Sequence, residues 1–392
     1  MLIDDLTTPA VLVDAQRLDR NISRMQAKAS DNHASLRPHI KTHKSVDIAQ
    51  LQVDQGAHGL TVATIDEAET FVHAGFSDIR VAYPVIGNDK YERLLNLMDD
   101  ARISFCVDTP AGVKQASSFF ADAGREVEVL MEVDVGHGRC GVPFGKPDEA
   151  IQLAKQIVNA PGLQFAGLLT HAGQGYHGPR DGETPEHALR RASLQERDRI
   201  LDVAALLFDA GVSAIDRDTF EVSIGSTPTI TYFENTERDG LTVTEIRPGN
   251  YVFHDAIQVG LGACPLDDCA LTVLGTIVSK RRDDSGTERA YIDAGKKVVT
   301  TDKGARTDGY GIALYNATYM REHPHVDITG LSEEHGWLSI PGAATFGVGD
   351  RVRFVPNHAC VTVATQHELV VVDDDEVIDR WPVAHKTPQT DA

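Results

Sequence analysis

The first two-thirds of the chain repeat one pattern: a short apolar run, a turn, then a longer stretch with apolar residues every three or four positions. The apolar runs fall at 36–41, 59–62, 79–82, 103–107, 127–135, 165–171, 220–223 and 244–248. Most are rich in Val, Ile or Leu, as strands covered on both faces should be, and the last is the least apolar. The segments 45–55, 65–74, 90–99, 111–123, 148–159 and 188–210 carry the helical period, as does 18–29 ahead of the first run. Gly56, Gly75, Gly124 and Gly211 stand just past four of these stretches, where a helix ends most easily. Thr109-Pro110 offers a cap and a first-turn proline to the segment beginning at 111. Strand then helix, repeated along 14–255, predicts an α/β fold with a (β/α)₈ TIM-type barrel. The same alternation also admits a doubly wound open sheet.

Beyond about residue 255 the texture changes. Runs at 268–279, 289–293, 350–354, 359–364 and 368–372 read as strands separated by Gly, Asp and Pro turns. Most have no amphipathic helix between them, which predicts an all-β domain over 256–392. Segment 9–13 is also strand-like, and residues 1–13 are expected to pair with that domain.

Composition narrows the function. The chain has 392 residues, 42% of them hydrophobic, enough for two cores. No uninterrupted run of about 18 apolar residues exists, so no membrane span is expected. The start, Met1-Leu2-Ile3-Asp4-Asp5, lacks the basic and apolar regions of a signal peptide, which predicts a cytoplasmic location. A net charge of −21 argues against nucleic acid as a partner, since phosphate binding needs a basic surface. The cysteines Cys106, Cys140, Cys264, Cys269 and Cys360 are odd in number and form no framework; the first four are expected as free thiols.

Several motifs fall where barrel strands should end, the face on which barrel active sites assemble. Arg37-Pro38-His39-Ile40-Lys41-Thr42-His43-Lys44 places an amine among cationic neighbours, which lowers its pKa and frees it to attack a carbonyl. Gly225-Ser226-Thr227-Pro228-Thr229 follows the seventh run and Arg247-Pro248-Gly249-Asn250-Tyr251 the eighth. Two glycine-bearing loops in those places suit a phosphate, and neither is a nucleotide fingerprint. Gly136-His137-Gly138-Arg139-Cys140-Gly141 presents a guanidinium. Thr170-His171-Ala172-Gly173-Gln174-Gly175-Tyr176-His177 brings two imidazoles, an amide and a phenol to the same rim. In the β-domain, His358 and Cys360 stand two apart; on a strand they would share a face and form a borderline-soft pair suited to Zn²⁺.

Together these motifs resemble the fold-type III pyridoxal phosphate enzymes, specifically the D-serine dehydratase and D-threonine aldolase group. The likeness covers nearly the whole chain. It implies an alanine racemase-like barrel plus β-domain, paired as a homodimer, with pyridoxal 5′-phosphate joined to Lys41 as an aldimine. It implies that Ser226, Thr227, Gly249 and Asn250, with Tyr251 beside them, hold the phosphate. Tyr176 would face the pyridine nitrogen and Arg139 the ring phenolate. His358 and Cys360 would ligate a divalent metal, Zn²⁺ or else Mn²⁺. Aldolases of the group carry a carboxylate where Cys360 stands, so the thiol favours a dehydratase. The expected reaction turns a D-3-hydroxy amino acid, such as D-serine or 3-hydroxyaspartate, into a 2-oxo acid and ammonia, with Lys41 as base. The alternative is retro-aldol cleavage to glycine and an aldehyde, with His43 or His171 as base. A non-catalytic cofactor-binding protein is the third reading.

Overall fold

The computed structural model describes residues 1–212, 215–282, 284, 288–340 and 346–384. Strand β1 (Ala10–Asp14) runs into helix α1 (Ala15–Asp31), capped by the Asp14 carboxylate, which accepts from Arg17 N at 2.9 Å. Next come β2 (Ser35–Leu36), β3 (Leu60–Val62), β4 (Asp78–Pro84), β5 (Arg102–Val107) and β6 (Val127–Asp134). They are followed by the short β7 (Val142–Pro143), β8 (Leu163–Leu169), β9 (Glu221–Ile224) and β10 (Glu245–Ile246). Between them lie α2 (Val46–Asp54), α3 (Ile65–His73), α4 (Asn88–Leu97), α5 (Pro110–Asp122), α6 (Pro147–Val158) and α7 (Pro185–Asp209). Every helical segment expected from the period is present. Thr109 caps α5, its hydroxyl accepting from Gly112 N at 3.2 Å, and Gly124 beyond it takes φ 65°.

Eight of these strands pair in parallel in the order β2-β10-β9-β8-β6-β5-β4-β3, and β7 pairs β6. A bridge between His39 and Thr61 joins the two ends of that series, so the sheet closes into a (β/α)₈ barrel and not an open sheet. The run expected as a strand over 36–41 is shorter than its apolar pattern. Pro38 has no N–H to donate to a ladder, and Ile40–Thr42 turns as a single 3₁₀ loop. Lys41 therefore sits on a tight turn above the strand. The loop after β10 repeats the device, with Pro248 and then a 3₁₀ turn at Asn250–Val252.

The second half holds β11 (Leu271–Arg282), β12 (Glu288–Ile292), β13 (Gly311–Asn316), β14 (Arg321–Leu331), β15 (Gly336–Ile340), β16 (Arg351–Pro356), β17 (Glu368–Asp373) and β18 (Glu376–Pro382). Strands β11-β12-β15-β14-β13-β16 form an antiparallel ring that closes on β11. Strand β1 lies antiparallel on β11 and parallel on β17. Strands β13, β14, β15 and β18 lie outside the runs read from sequence, because exposed polar residues interrupt their apolar ones. One expectation is overturned: 359–364 is the helix α10 (Ala359–Ala364). Its buried residues are Ala359, Thr362 and Val363, a helical spacing that a short apolar run does not distinguish from a strand. Two further short helices, α8 (Thr227–Ile230) and α9 (Ala256–Leu261), follow β9 and β10.

A buried ionic layer lies inside the barrel. The Glu245 carboxylate receives Arg37 Nε at 2.6 Å, Arg80 Nη1 at 2.6 Å and Ser223 Oγ at 2.5 Å. Arg37 also reaches Asp78, and Arg80 reaches Glu221 and, at 3.0 Å, Ser104 Oγ. Burial would push Glu245 up, but the two guanidiniums hold it well below the usual carboxylate range. Arg80→Met removes one of the two guanidiniums hydrogen-bonded to Glu245 in a water-poor interior. The expected cost is about 3–5 kcal/mol in urea unfolding. A loss indistinguishable from that of an exposed surface substitution contradicts this role for the layer.

Candidate active site

The loops above the C-terminal ends of the barrel strands meet residues of the β-domain around a cavity of about 440 Å³. Its wall contains Lys41, Arg139, His171, Tyr176, Ser226, Thr227, Gly249, Asn250, His358 and Cys360. Two of the residues singled out from sequence lie elsewhere. His43 is fully buried behind the wall: its Nδ1 accepts from Ser45 N at 3.1 Å and its Nε2 bonds Gln52 Oε1 at 3.2 Å. Burial lowers its pKa to about 3. The Tyr251 hydroxyl accepts from Gln52 Nε2 at 2.9 Å, so both rings belong to the packing between α2 and the loop after β10. On the 3₁₀ turn the side chains part: Lys41 enters the cavity wall and His43 turns to Ser45 and Gln52.

The wall also holds His39, Thr42, Glu132 and Arg247. The motif reading carries His39 and Arg247 only as neighbours of Lys41 and Gly249. Glu132 reads in sequence as one polar position in an apolar strand. Arg247 is fixed by Ser223 Oγ at 2.6 Å and Thr170 O at 2.5 Å, which stacks it directly above the ionic layer.

The wall is largely desolvated, and its basic groups crowd one another. Burial lowers the pKa of Lys41, with Cys360 opposing and Arg139 adding to the effect. Burial and the proximity of Lys41 hold His39 and His171 well below the ordinary imidazole range. His171 Nδ1 lies 2.6 Å from Gly225 O, so Nδ1–H donates there and Nε2 keeps its lone pair. Burial raises the Tyr176 phenol, whose oxygen accepts from Gln258 Nε2 at 3.4 Å. Burial also raises Glu132, whose Oε1 accepts from Cys140 Sγ at 3.2 Å.

Unsatisfied polar atoms show what the wall is built to meet. Ser226 Oγ and Thr227 Oγ1 are buried without a hydrogen-bond partner, side by side at the start of α8. At Gly249 a Cβ would fall 2.8 Å from His39 O and 2.9 Å from Thr42 Oγ1, so only glycine lets these two loops approach. Orphaned hydroxyls, close backbone and a nearby desolvated amine fit pyridoxal phosphate.

The residues that would hold a metal are His358 and Cys360. His358 caps α10 and Cys360 lies in its first turn, so the pair meets on a helix end and not across a strand face. Cys360 Sγ lies 3.2 Å from Thr42 Oγ1, and His358 Nδ1 lies 2.7 Å from Asp302 Oδ2. Burial alone would raise Cys360, but the adjoining His358 lowers it toward thiolate. Among the described residues no group of three or more His, Cys, Asp or Glu forms a metal cage. A two-donor set fits an open ion site and not a closed structural one. Asp255 braces the region: its carboxylate accepts from Asn250 Nδ2 at 2.6 Å, Ala359 N at 3.0 Å and Gln258 N at 3.0 Å.

A closed parallel barrel with a desolvated lysine beside a hydroxyl-lined anion cradle defines a pyridoxal phosphate protein of the alanine racemase type. Residues 13–256 match the alanine racemase N-terminal domain and residues 270–372 a serine dehydratase domain. The chain belongs to the fold-type III pyridoxal phosphate enzymes. It is 34% identical to the D-threo-3-hydroxyaspartate dehydratase of Delftia sp. (strain HT23) over 97% of this chain and 98% of that one. It is 33% identical to the D-threonine aldolase of Arthrobacter sp, over 96% and 92% of the two chains. The D-serine dehydratase of Dictyostelium discoideum is 29% identical over 96% of each. The solved structure of the Delftia dehydratase superposes with a TM-score of 0.87 at 33% identity, covering 98% of this chain and 99% of that one. A cysteine-to-alanine variant of that dehydratase has been solved in a metal-free form.

Behind the cradle, Glu196 is buried and ties its loops together. Its Oε1 accepts from Gly225 N at 3.0 Å and Ala172 N at 3.2 Å, and its Oε2 accepts from Thr229 Oγ1 at 2.5 Å. Burial raises its pKa from 4.5 to about 7. A carboxyl raised on folding binds its proton more tightly in the native state. Its charge therefore costs stability progressively as pH rises from 4.5 to about 7. Glu196→Gln keeps acceptors for both amides and removes the charge. The stability of this variant relative to the parent should increase across that window in thermal melts at stepped pH. A difference that is flat or falls with pH contradicts the assignment.

Proposed function

We propose that this chain is a lyase, a pyridoxal phosphate- and divalent metal-dependent dehydratase of a small D-3-hydroxy amino acid such as D-serine or 3-hydroxyaspartate. The observation that carries the reading is the placement of the Cys360 thiol, beside His358, on the wall of the same cavity as Lys41. Full-length similarity to two dehydratases supports it.

The cofactor, when bound, supplies an electron sink for the bond broken at the substrate α-carbon. The ion, when bound, supplies a Lewis acid for the departing β-hydroxyl. The chain supplies the rest. Ser226 and Thr227 give their unpartnered hydroxyls to the phosphate, and Gly249 and Asn250 bring their backbone against it. Arg139 and Tyr176 would be the polar side chains offered to the cofactor ring. Lys41 would hold the cofactor aldehyde, and as a free amine its Nζ would take the substrate α-proton as general base, because burial keeps it below the ordinary amine range. His358 and Cys360 would hold the ion. Loss of the α-proton and the hydroxyl gives an enamine, and water converts the released enamine to a 2-oxo acid and ammonia. An imidazole–thiolate pair prefers Zn²⁺, with Mn²⁺ the harder alternative. A cytoplasmic homodimer completes the reading.

The similarity to a D-threonine aldolase keeps retro-aldol cleavage as the second reading. In it, His171 Nε2 takes the β-hydroxyl proton; His43, outside the cavity, takes part in neither route.

Lys41→Ala should abolish both the visible cofactor absorbance and turnover, and borohydride should trap the cofactor on residue 41 of the parent chain. Trapping on another lysine removes Lys41 from the mechanism. Cys360→Ala should stop turnover while the cofactor absorbance stays. D-Threonine should yield 2-oxobutanoate and ammonia; glycine and acetaldehyde would establish the aldolase instead.

A further inference from the structure

We infer that Asp302, on the loop between β12 and β13, is a positioning residue for the ion held at His358 and Cys360; the inference rests on the metal reading above. Its Oδ2 lies 2.7 Å from His358 Nδ1. That contact puts the ring proton on Nδ1 and leaves Nε2 as the nitrogen that donates to an ion. A carboxylate behind a ligating imidazole fixes the ring's orientation and raises its basicity. Asp302 is not part of the cavity wall, so it acts through His358.

The carboxylate is half exposed, but the loop backbone that carries it is anchored. The buried amide of Asn357 donates to Asp302 O at 2.9 Å and to Gly309 O at 3.1 Å, gripping the loop at its middle and near its C-terminal end. Thr300 Oγ1 accepts from Asp302 N at 3.0 Å, and Thr307 Oγ1 accepts from Gly304 N at 2.8 Å. The loop also rests on the barrel: a Cβ at Gly260 of α9 would lie 3.1 Å from Arg306 O. Two consecutive residues thus act on one loop. Asn357 orders the loop, and the loop's Asp302 orders His358.

The test is a Co²⁺ titration of the cofactor-loaded parent chain, Asp302→Ala and Asp302→Asn, read by thiolate-to-cobalt absorbance and by competition with a chelator. Asp302→Ala should bind Co²⁺ about 10–100-fold more weakly. Asp302→Asn should recover part of the loss, since its carbonyl oxygen still accepts from Nδ1–H. Cofactor absorbance and melting temperature should stay at the parent values. A clear thiolate band in the parent with unchanged affinity in Asp302→Ala overturns this inference alone. Absence of the band in the parent overturns the metal reading and this inference with it. A lowered melting temperature in both variants, with no recovery by Asn, assigns Asp302 to loop folding and also overturns it.

Discussion

The structure depends on keeping an amine out of water among other basic groups. Lys41, Arg139, Arg247, His39 and His171 share one cavity wall with a single carboxylate, Glu132. Desolvation lowers the amine and both imidazoles, and each neighbouring cation deepens the effect. Such a chamber is costly alone and favourable once anions enter it. A phosphate and a substrate carboxylate are the anions its hydroxyls and backbone fit. The chain as a whole carries a net charge of −21, so Arg139 and Arg247 stand out in this wall as guanidiniums in an acidic molecule.

The rest of the fold holds that chamber in shape. Beneath it, Arg247 stands on Ser223, which bonds Glu245, which in turn holds Arg37 and Arg80. The cations of the cavity thus continue a ladder of alternating charge through the barrel interior. Beside it, carboxylates with no place in the wall do the bracing. Glu196 joins two cofactor-facing loops, and Asp255 joins the end of the barrel to α10.

Much of this was legible in the sequence, for a physical reason. Parallel strands covered on both faces must be apolar, and their helices must be amphipathic, so 103–107 and 111–123 announce themselves as β5 and α5. Glycine-rich loops after the last strands point to phosphate because backbone must approach closely there. What stayed hidden depends on contacts distant in sequence. The 359–364 run reads as a strand because six apolar-biased residues carry too little period to decide. His43 sits two residues from Lys41 and reads as its partner, yet a one-turn loop sends it to Gln52. Glu196 lies in mid-helix and Asp302 in an unmarked loop, 56 residues from the imidazole it touches. Strands β13–β15, in the closed antiparallel ring, and β18, at the sheet edge beside β17, escaped because exposed polar residues dilute their pattern.

The position of β1 has a consequence for how the molecule comes apart. The strand made first is seated between β11 and β17, and α1, which follows it, returns to the barrel, where Asn21 bonds Val252 O and Asp268 O. The opening segment therefore laces the two halves of the molecule together. A cut near residue 255 would free neither half cleanly: the barrel piece would carry an unpaired strand, and the β-piece would gain two raw edges prone to pairing with other chains. Such a protein is expected to reach its final form only when its last strands have been synthesised.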